Sequence, residues 1–173
     1  ILSVDPKNPA CLLGLGNIAL ERRDFKKAKE YFCPILTSGN HKLFTKVKKQ
    51  SLFDLARAEF GLKNFKRAKE LLLRYLAIEP LQAQSYYLLG YILEKEKDFA
   101  RSAKFYQDAI RLGFGSIEPI SRLLKISYFI KEKDAIIKYI IVKYKAFKKG
   151  FLRTKRLSLK KENQIKGLDR TEK

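Results

Sequence analysis

One local pattern occurs three times in this chain. A phenylalanine is followed three residues later by a small residue, as Phe25-Lys-Lys-Ala28, Phe65-Lys-Arg-Ala68 and Phe99-Ala-Arg-Ser102. Phe65 and Phe99 are 34 residues apart, and Phe25 and Phe65 are 40 apart, so the first interval carries a six-residue insertion. Self-similarity at such a period constrains a fold strongly. Each unit is too small to bury its own apolar face and must stack on its neighbours.

The cleanest unit runs from Leu52 to Pro80. Apolar residues recur at helical spacing through Leu52, Leu55, Ala56 and Phe60, then through Phe65, Ala68, Leu71, Leu72, Tyr75 and Leu76. The periodicity breaks at Gly61-Leu-Lys-Asn64, where Gly suits a helix end and Asn an N-cap. Pro80 stops the second helix. The pattern predicts helix, turn, helix, stop. The first hairpin, residues 9–38, is expected to start at Asn8-Pro9, with Asp24 capping its second helix. The third, residues 82–112, has Asp98 as its internal cap.

These units resemble the tetratricopeptide repeat (TPR) family. That family places a large residue, then Leu-Gly, then Tyr in its first helix, Ala, an aromatic and Ala in its second, and Pro at the end. The first unit supplies Leu12, Leu15-Gly16, Ala19, Ala28, Phe32 and Ile35. The second supplies Leu52, Leu55-Ala56, Ala68, Leu72, Tyr75 and Pro80, with Glu59 in place of an apolar residue. The third supplies Tyr86, Leu89-Gly90, Leu93, Ser102, Tyr106 and Ala109. The resemblance implies an all-α fold, an α-α superhelix of helical hairpins. The division expected is the end of a preceding repeat (1–8), three repeats (9–41, 42–81 with an extended first helix, and 82–115), a degenerate terminal pair (116–147) and a basic tail (148–173).

Composition agrees with a globular all-α chain: 173 residues, 46% hydrophobic, with five prolines. No run of 18 apolar residues occurs, so no membrane span is expected. The opening Ile-Leu-Ser-Val-Asp-Pro resembles the end of a second helix, so the chain is expected to begin inside a preceding repeat. A cytoplasmic location is the working expectation. Cys11 and Cys33 read as small reduced fillers or as a bridge between paired helices. The net charge is +20, and Lys143 to Lys173 alone hold twelve Lys or Arg against three acids. Nucleotide bias in the genome is one source of such charge, and function is the other.

The insertion, residues 39–51, carries His41 and then Lys42, Lys46, Lys48 and Lys49 with no acid among them. Cations in a helix's first turns oppose the helix dipole by about 0.3–1 kcal/mol each. They are either screened by water or matched by an anion. Gly113-Phe-Gly115-Ser116 reads as a turn between units, since neither a preceding strand nor a following Lys-Ser/Thr makes it a phosphate loop. The fourth pair is expected to turn at Lys131-Glu-Lys-Asp134, and the basic tail to continue as a helix to about Lys161.

Catalytic chemistry is not expected. One histidine and two cysteines at unrelated spacing do not form a metal or nucleophile site, and no cofactor motif is present. Neither a cofactor nor a small-molecule substrate is predicted, and the oligomeric state is left open. In the TPR family the groove-facing residues stand at the second, fifth, ninth and twelfth positions of each first helix. Carried onto this chain, the first repeat presents Ala10, Leu13, Asn17 and Leu20. The second presents Gln50, Phe53, Arg57 and Phe60, extended backward to Lys46. The third presents Gln84, Tyr87, Tyr91 and Glu94. Exposed aromatics beside Arg57 are the side chains enriched at binding hot spots. The expected partner is a protein or peptide with acidic residues, held in this groove by a scaffold or adaptor. Only Asn17 matches the subfamily that clamps a terminal carboxylate, so clamp binding is not expected. The alternative lies in the tail. Lys148, Lys149, Arg153, Lys155, Arg156, Lys160 and Lys161, interleaved with Phe151, Leu152, Leu157 and Leu159, suit nucleic acid or an anionic membrane.

Overall fold

The computed structural model describes residues 8–37, 45–130 and 133–168, with side chains described as far as Gly150. Among the described residues there are eight helices: α1 (Pro9–Glu21), α2 (Phe25–Thr37), α3 (Thr45–Gly61), α4 (Phe65–Leu76), α5 (Ala83–Lys95), α6 (Phe99–Arg111), α7 (Glu118–Ser127) and α8 (Lys133–Leu168). The fold is an α-α superhelical repeat. It divides into two compact units, Ile1–Phe114 and Gly115–Lys173.

In the first unit the helices pair as α1 with α2, α3 with α4, and α5 with α6. What lets each pair close is visible at one position. A methyl group added to Gly16 would lie 2.3 Å from the ring of Phe32, and one added to Gly90 would lie 2.7 Å from the ring of Tyr106. Those two rings are fully buried. The second hairpin has Ala56 at the same position and Leu72, a smaller side chain, where the others carry the ring, and both are again fully buried. Glycine therefore accompanies an aromatic and alanine accompanies leucine. Ser102 occupies the small position that Ala28 and Ala68 fill elsewhere. Its hydroxyl donates to the carbonyl of Gly90 at 2.8 Å, so the buried oxygen is satisfied.

The three hairpin turns share one geometry. Arg23, Lys63 and Lys97 all take left-handed backbone angles, with φ of 59°, 62° and 62°. In each turn the next amide donates back into the first helix, from Asp24 to Ala19, Asn64 to Glu59 and Asp98 to Leu93. Asp24 and Asp98 cap as expected: Oδ1 accepts from the amides of Lys27 (3.2 Å) and Arg101 (3.1 Å). Those amide bonds hold both carboxyls below their ordinary range. Asn64 corrects the expectation. It stands at the N-cap, but its side chain makes no cap bond and donates instead to Glu59 Oε2 at 2.7 Å. Asn8 caps α1 by accepting from the amide of Ala10, with Pro9 opening the helix.

α3 has 17 residues against 13 in α1 and α5, as the insertion suggested. His41 and Lys42 lie outside the described residues. Cys11 and Cys33 are free and half-buried, and burial raises the pKa of Cys33.

In the second unit α7 packs on α8. Its buried face, Pro119, Ile120, Leu123, Ile126 and Ser127, keeps the 34-residue register of α5, where Ser85, Leu89, Ile92 and Leu93 are buried. α8 has 36 residues and runs without a break to Leu168, beyond the Lys161 expected, passing through Gly150. No helix among the described residues is long and apolar enough to cross a membrane.

Replacing Gly90 with Ala forces its methyl into the Tyr106 ring and should cost about 1–3 kcal/mol. Gly14, also inside a helix, has open space around the added methyl. Gly14→Ala should instead gain up to about 1 kcal/mol of helix propensity. Thermal melts followed by circular dichroism should move in opposite directions for the two variants.

Candidate peptide-binding face

The lengthened helix α3 is the centre of the candidate face. Lys46 and Gln50 are exposed on it and Arg57 is half-exposed. The residue that organises Gln50 and Arg57 is Asp54, which is 1% exposed. Its Oδ2 accepts from Gln50 Nε2 at 2.8 Å and its Oδ1 from Arg57 Nη1 at 3.0 Å. The guanidinium also lies 5.9 Å from the centre of the Phe53 ring. A buried carboxylate and a ring together fix the direction of Arg57. One of its five donors is used on Asp54. Asp54 was not among the sequence candidates. Its place four residues after Gln50 and three before Arg57 was the signal that could have found it.

Two candidates are corrected. Phe53 is only 4% exposed and packs against Tyr75 of α4, with ring centres 5.0 Å apart. It is a core ring turned into its own hairpin, not an exposed anchor. Leu20 is 7% exposed and belongs to the same buried cluster. The other aromatics are half-buried and pack on rings within the chain. Phe60 of α3 meets Tyr91 of α5 edge to face at 5.1 Å, and Phe65 of α4 joins both. Tyr87 packs on Phe114 at 4.7 Å and on Tyr106 at 6.0 Å. Lys95 lies over the Tyr91 ring. Phe65 and Phe114 complete these groups and were not among the candidates.

Leu13 and Asn17 are half-buried on α1, and Ala10 is exposed beside them. Gln84 is half-buried, and its amide donates to Gln82 Oε1. Glu94 accepts from the buried Tyr106 hydroxyl at 2.6 Å, so this acid is tied to the core. Lys148 and Lys149 of the tail are exposed. Arg153, Lys155, Arg156, Lys160 and Lys161 lie on α8 beyond the described side chains.

Charged contacts also join successive hairpins. Lys29 of α2 donates to Glu59 Oε1 of α3 at 2.8 Å, and Lys69 of α4 to Glu96, at the end of α5, at 2.6 Å. Lys29 and Lys69 stand at the same repeat position. Glu59 is nearly buried. Burial raises its pKa, but hydrogen bonds from Lys29 and Asn64 outweigh that, and the carboxyl sits below its ordinary value. The Lys29 ammonium, bonded to Glu59, is correspondingly raised. No group of three or more metal-ligating side chains occurs among the described residues.

Residues 53–116 match the family model described as Tetratricopeptide repeat. Over that stretch the chain is similar to tetratricopeptide repeats. The chain is also similar in structure to the crystal structure of MamA, with 21% identity, a TM-score of 0.69, and 84% of this chain and 82% of that one covered. MamA 41-end from Desulfovibrio magneticus RS-1 matches with 19% identity, a TM-score of 0.67, and 83% and 77% covered. No curated protein matches the chain. Tetratricopeptide repeats bind other proteins or peptides and are typically non-catalytic. The general function that follows is that of a protein-interaction scaffold.

The Glu59 pair predicts a pH dependence. A lowered carboxyl pKa contributes stability above its unfolded value, near 4.5, and loses it as pH falls through the folded value. The raised Lys29 contributes below its unfolded value, near 10.5, and loses that as pH rises through the folded one. Glu59→Gln should cost about 1.5 kcal/mol at pH 7, where a charge-assisted bond is lost. Melting temperatures of the two proteins should converge as pH falls below 4.5 and through the lowered folded value.

Proposed function

We propose that the chain is a non-enzymatic scaffold or adaptor that takes an extended or helical protein segment along the first helices of its hairpins, with α3 at the centre. The observation that carries this reading is the fixed Arg57. Its guanidinium is oriented by buried Asp54 and the Phe53 ring while remaining half-exposed. Lys46 and Gln50 continue the same stripe toward the start of α3. An arginine held in place loses less side-chain entropy on binding than a free one. The net charge of +20 favours a segment with acidic residues, through steering as well as contact. Phe60 and Tyr91, half-buried and in edge-to-face contact, supply apolar surface on the first helices of the second and third hairpins.

A photo-crosslinking amino acid at position 50, used in extract of the native cell, should capture a protein partner. The same group at position 70, on exposed Glu70 of α4, should not. Lys46→Glu combined with Arg57→Gln should weaken capture at least tenfold without changing helicity. Crosslinking from position 70 alone would overturn the α3 reading. Loss of binding only on removal of residues 151–173, with steep salt dependence on RNA or on anionic vesicles, would move the function to the basic tail.

A further inference from the structure

The seam between α7 and α8 holds an apolar cleft of about 530 Å³. Leu124, Ile137, Ile141 and Tyr144 line it, and Lys145 and Lys148 stand at its rim. Leu124, Ile141 and Tyr144 are 42%, 47% and 45% exposed, a large apolar surface to leave in water. Leu124 stands at the repeat position of Gly16, Ala56 and Gly90. The small residue that lets the other hairpins close is replaced here by a large one, and the cleft opens beside it.

The repeat register shows what kind of object fits the seam. Ile137, Ile141 and Tyr144 occupy the positions that Lys29, Cys33 and Leu36 occupy in α2. In the first unit those α2 residues face α3. Lys29 bonds Glu59, and Cys33 and Leu36 share a cleft with Leu52 and Leu55. α3 lies on both α1 and α2. The equivalent surface of α7 and α8 is thus shaped for one helix. Among the described residues no helix lies there, because α8 runs straight on to Leu168 instead of turning back.

Charge narrows the occupant. α7 and α8 as far as Gly150 carry eight Lys or Arg against Glu118 and Asp134. No ion pair among the described residues involves Lys145 or Lys148. Where a helix does fill the corresponding seam in the first unit, a lysine of the second helix meets a glutamate of the incoming one, at Glu59 and at Glu96. A second copy of this chain would bring a further +20 to a surface already positive.

We propose that the α7–α8 seam docks one amphipathic helix of a partner protein, its apolar stripe in the cleft and acidic residues against Lys145 and Lys148. The seam belongs to the second compact unit and the α3 stripe to the first, and the two proposals stand or fall separately.

The test uses the full chain and two helix-stapled 18-residue peptides with the same leucine stripe, one flanked by glutamates and the other by lysines. Fluorescence anisotropy should show the glutamate peptide binding at least tenfold more tightly than the lysine peptide. Ile141→Glu, an exposed site, should weaken it at least tenfold with helicity unchanged. Lys145→Glu with Lys148→Glu should reverse the preference, whereas Lys66→Glu with Lys104→Glu, on α4 and α6, should leave it intact. Equal weakening by the two charge-reversed pairs would mean that the peptide reads overall charge, and the seam proposal would fail. Equal binding of the two peptides, or insensitivity to Ile141→Glu, would overturn it as well. So would concentration-dependent self-association in sedimentation that Ile141→Glu abolishes, or anionic vesicles being the only ligand that Ile141→Glu affects.

Discussion

The close approach of two helices at one small residue is the constraint on which the repeated architecture depends. In an all-α chain without disulfides, neighbouring helices are held by packing, and packing energy falls quickly with separation. Gly16 against Phe32 and Gly90 against Tyr106 bring backbone directly onto a ring. The hairpin then buries a large aromatic completely at a position where another side chain would stand between the helices. Ala56 against Leu72 reaches the same closure with the sizes exchanged. Leu124 in the fourth hairpin breaks the rule, and there the seam is open.

Stacking of hairpins adds a polar contribution. Glu59 looks misplaced by family pattern, since an apolar residue is expected. The structure gives it Lys29 and Asn64 as partners, one for each oxygen. A nearly buried carboxylate with both oxygens bonded is tolerable, and it fixes the register between hairpins better than another leucine would. Lys69 with Glu96 repeats the device at a more exposed site, where such a pair contributes little energy.

The hairpins, their turns and the small positions were legible in the sequence because each has a one-residue signature at a fixed period. Ala28, Ala68 and Ser102 mark the second helices, and Asp24, Asn64 and Asp98 mark the turns. The direction of Phe53 was not legible. Helical spacing gives the stripe on which a side chain stands, over 100° or more, but not which neighbour a ring turns toward. Tyr75 decides that, and it is 22 residues away in the chain. Asn64 likewise had two competing uses, accepting from the first amides of its own helix or donating to Glu59, and the buried charge explains the choice. The length of α8 was underestimated because lysine-rich sequence shows weak periodicity.

α8 has a mechanical consequence. At 1.5 Å per residue, its 36 residues span roughly 54 Å, against about 15 Å for the 10 residues of α7. Most of the helix extends past the partner that anchors it. A helix of that length is several times longer than the reach of an exposed charge, which is about 8 Å at physiological ionic strength.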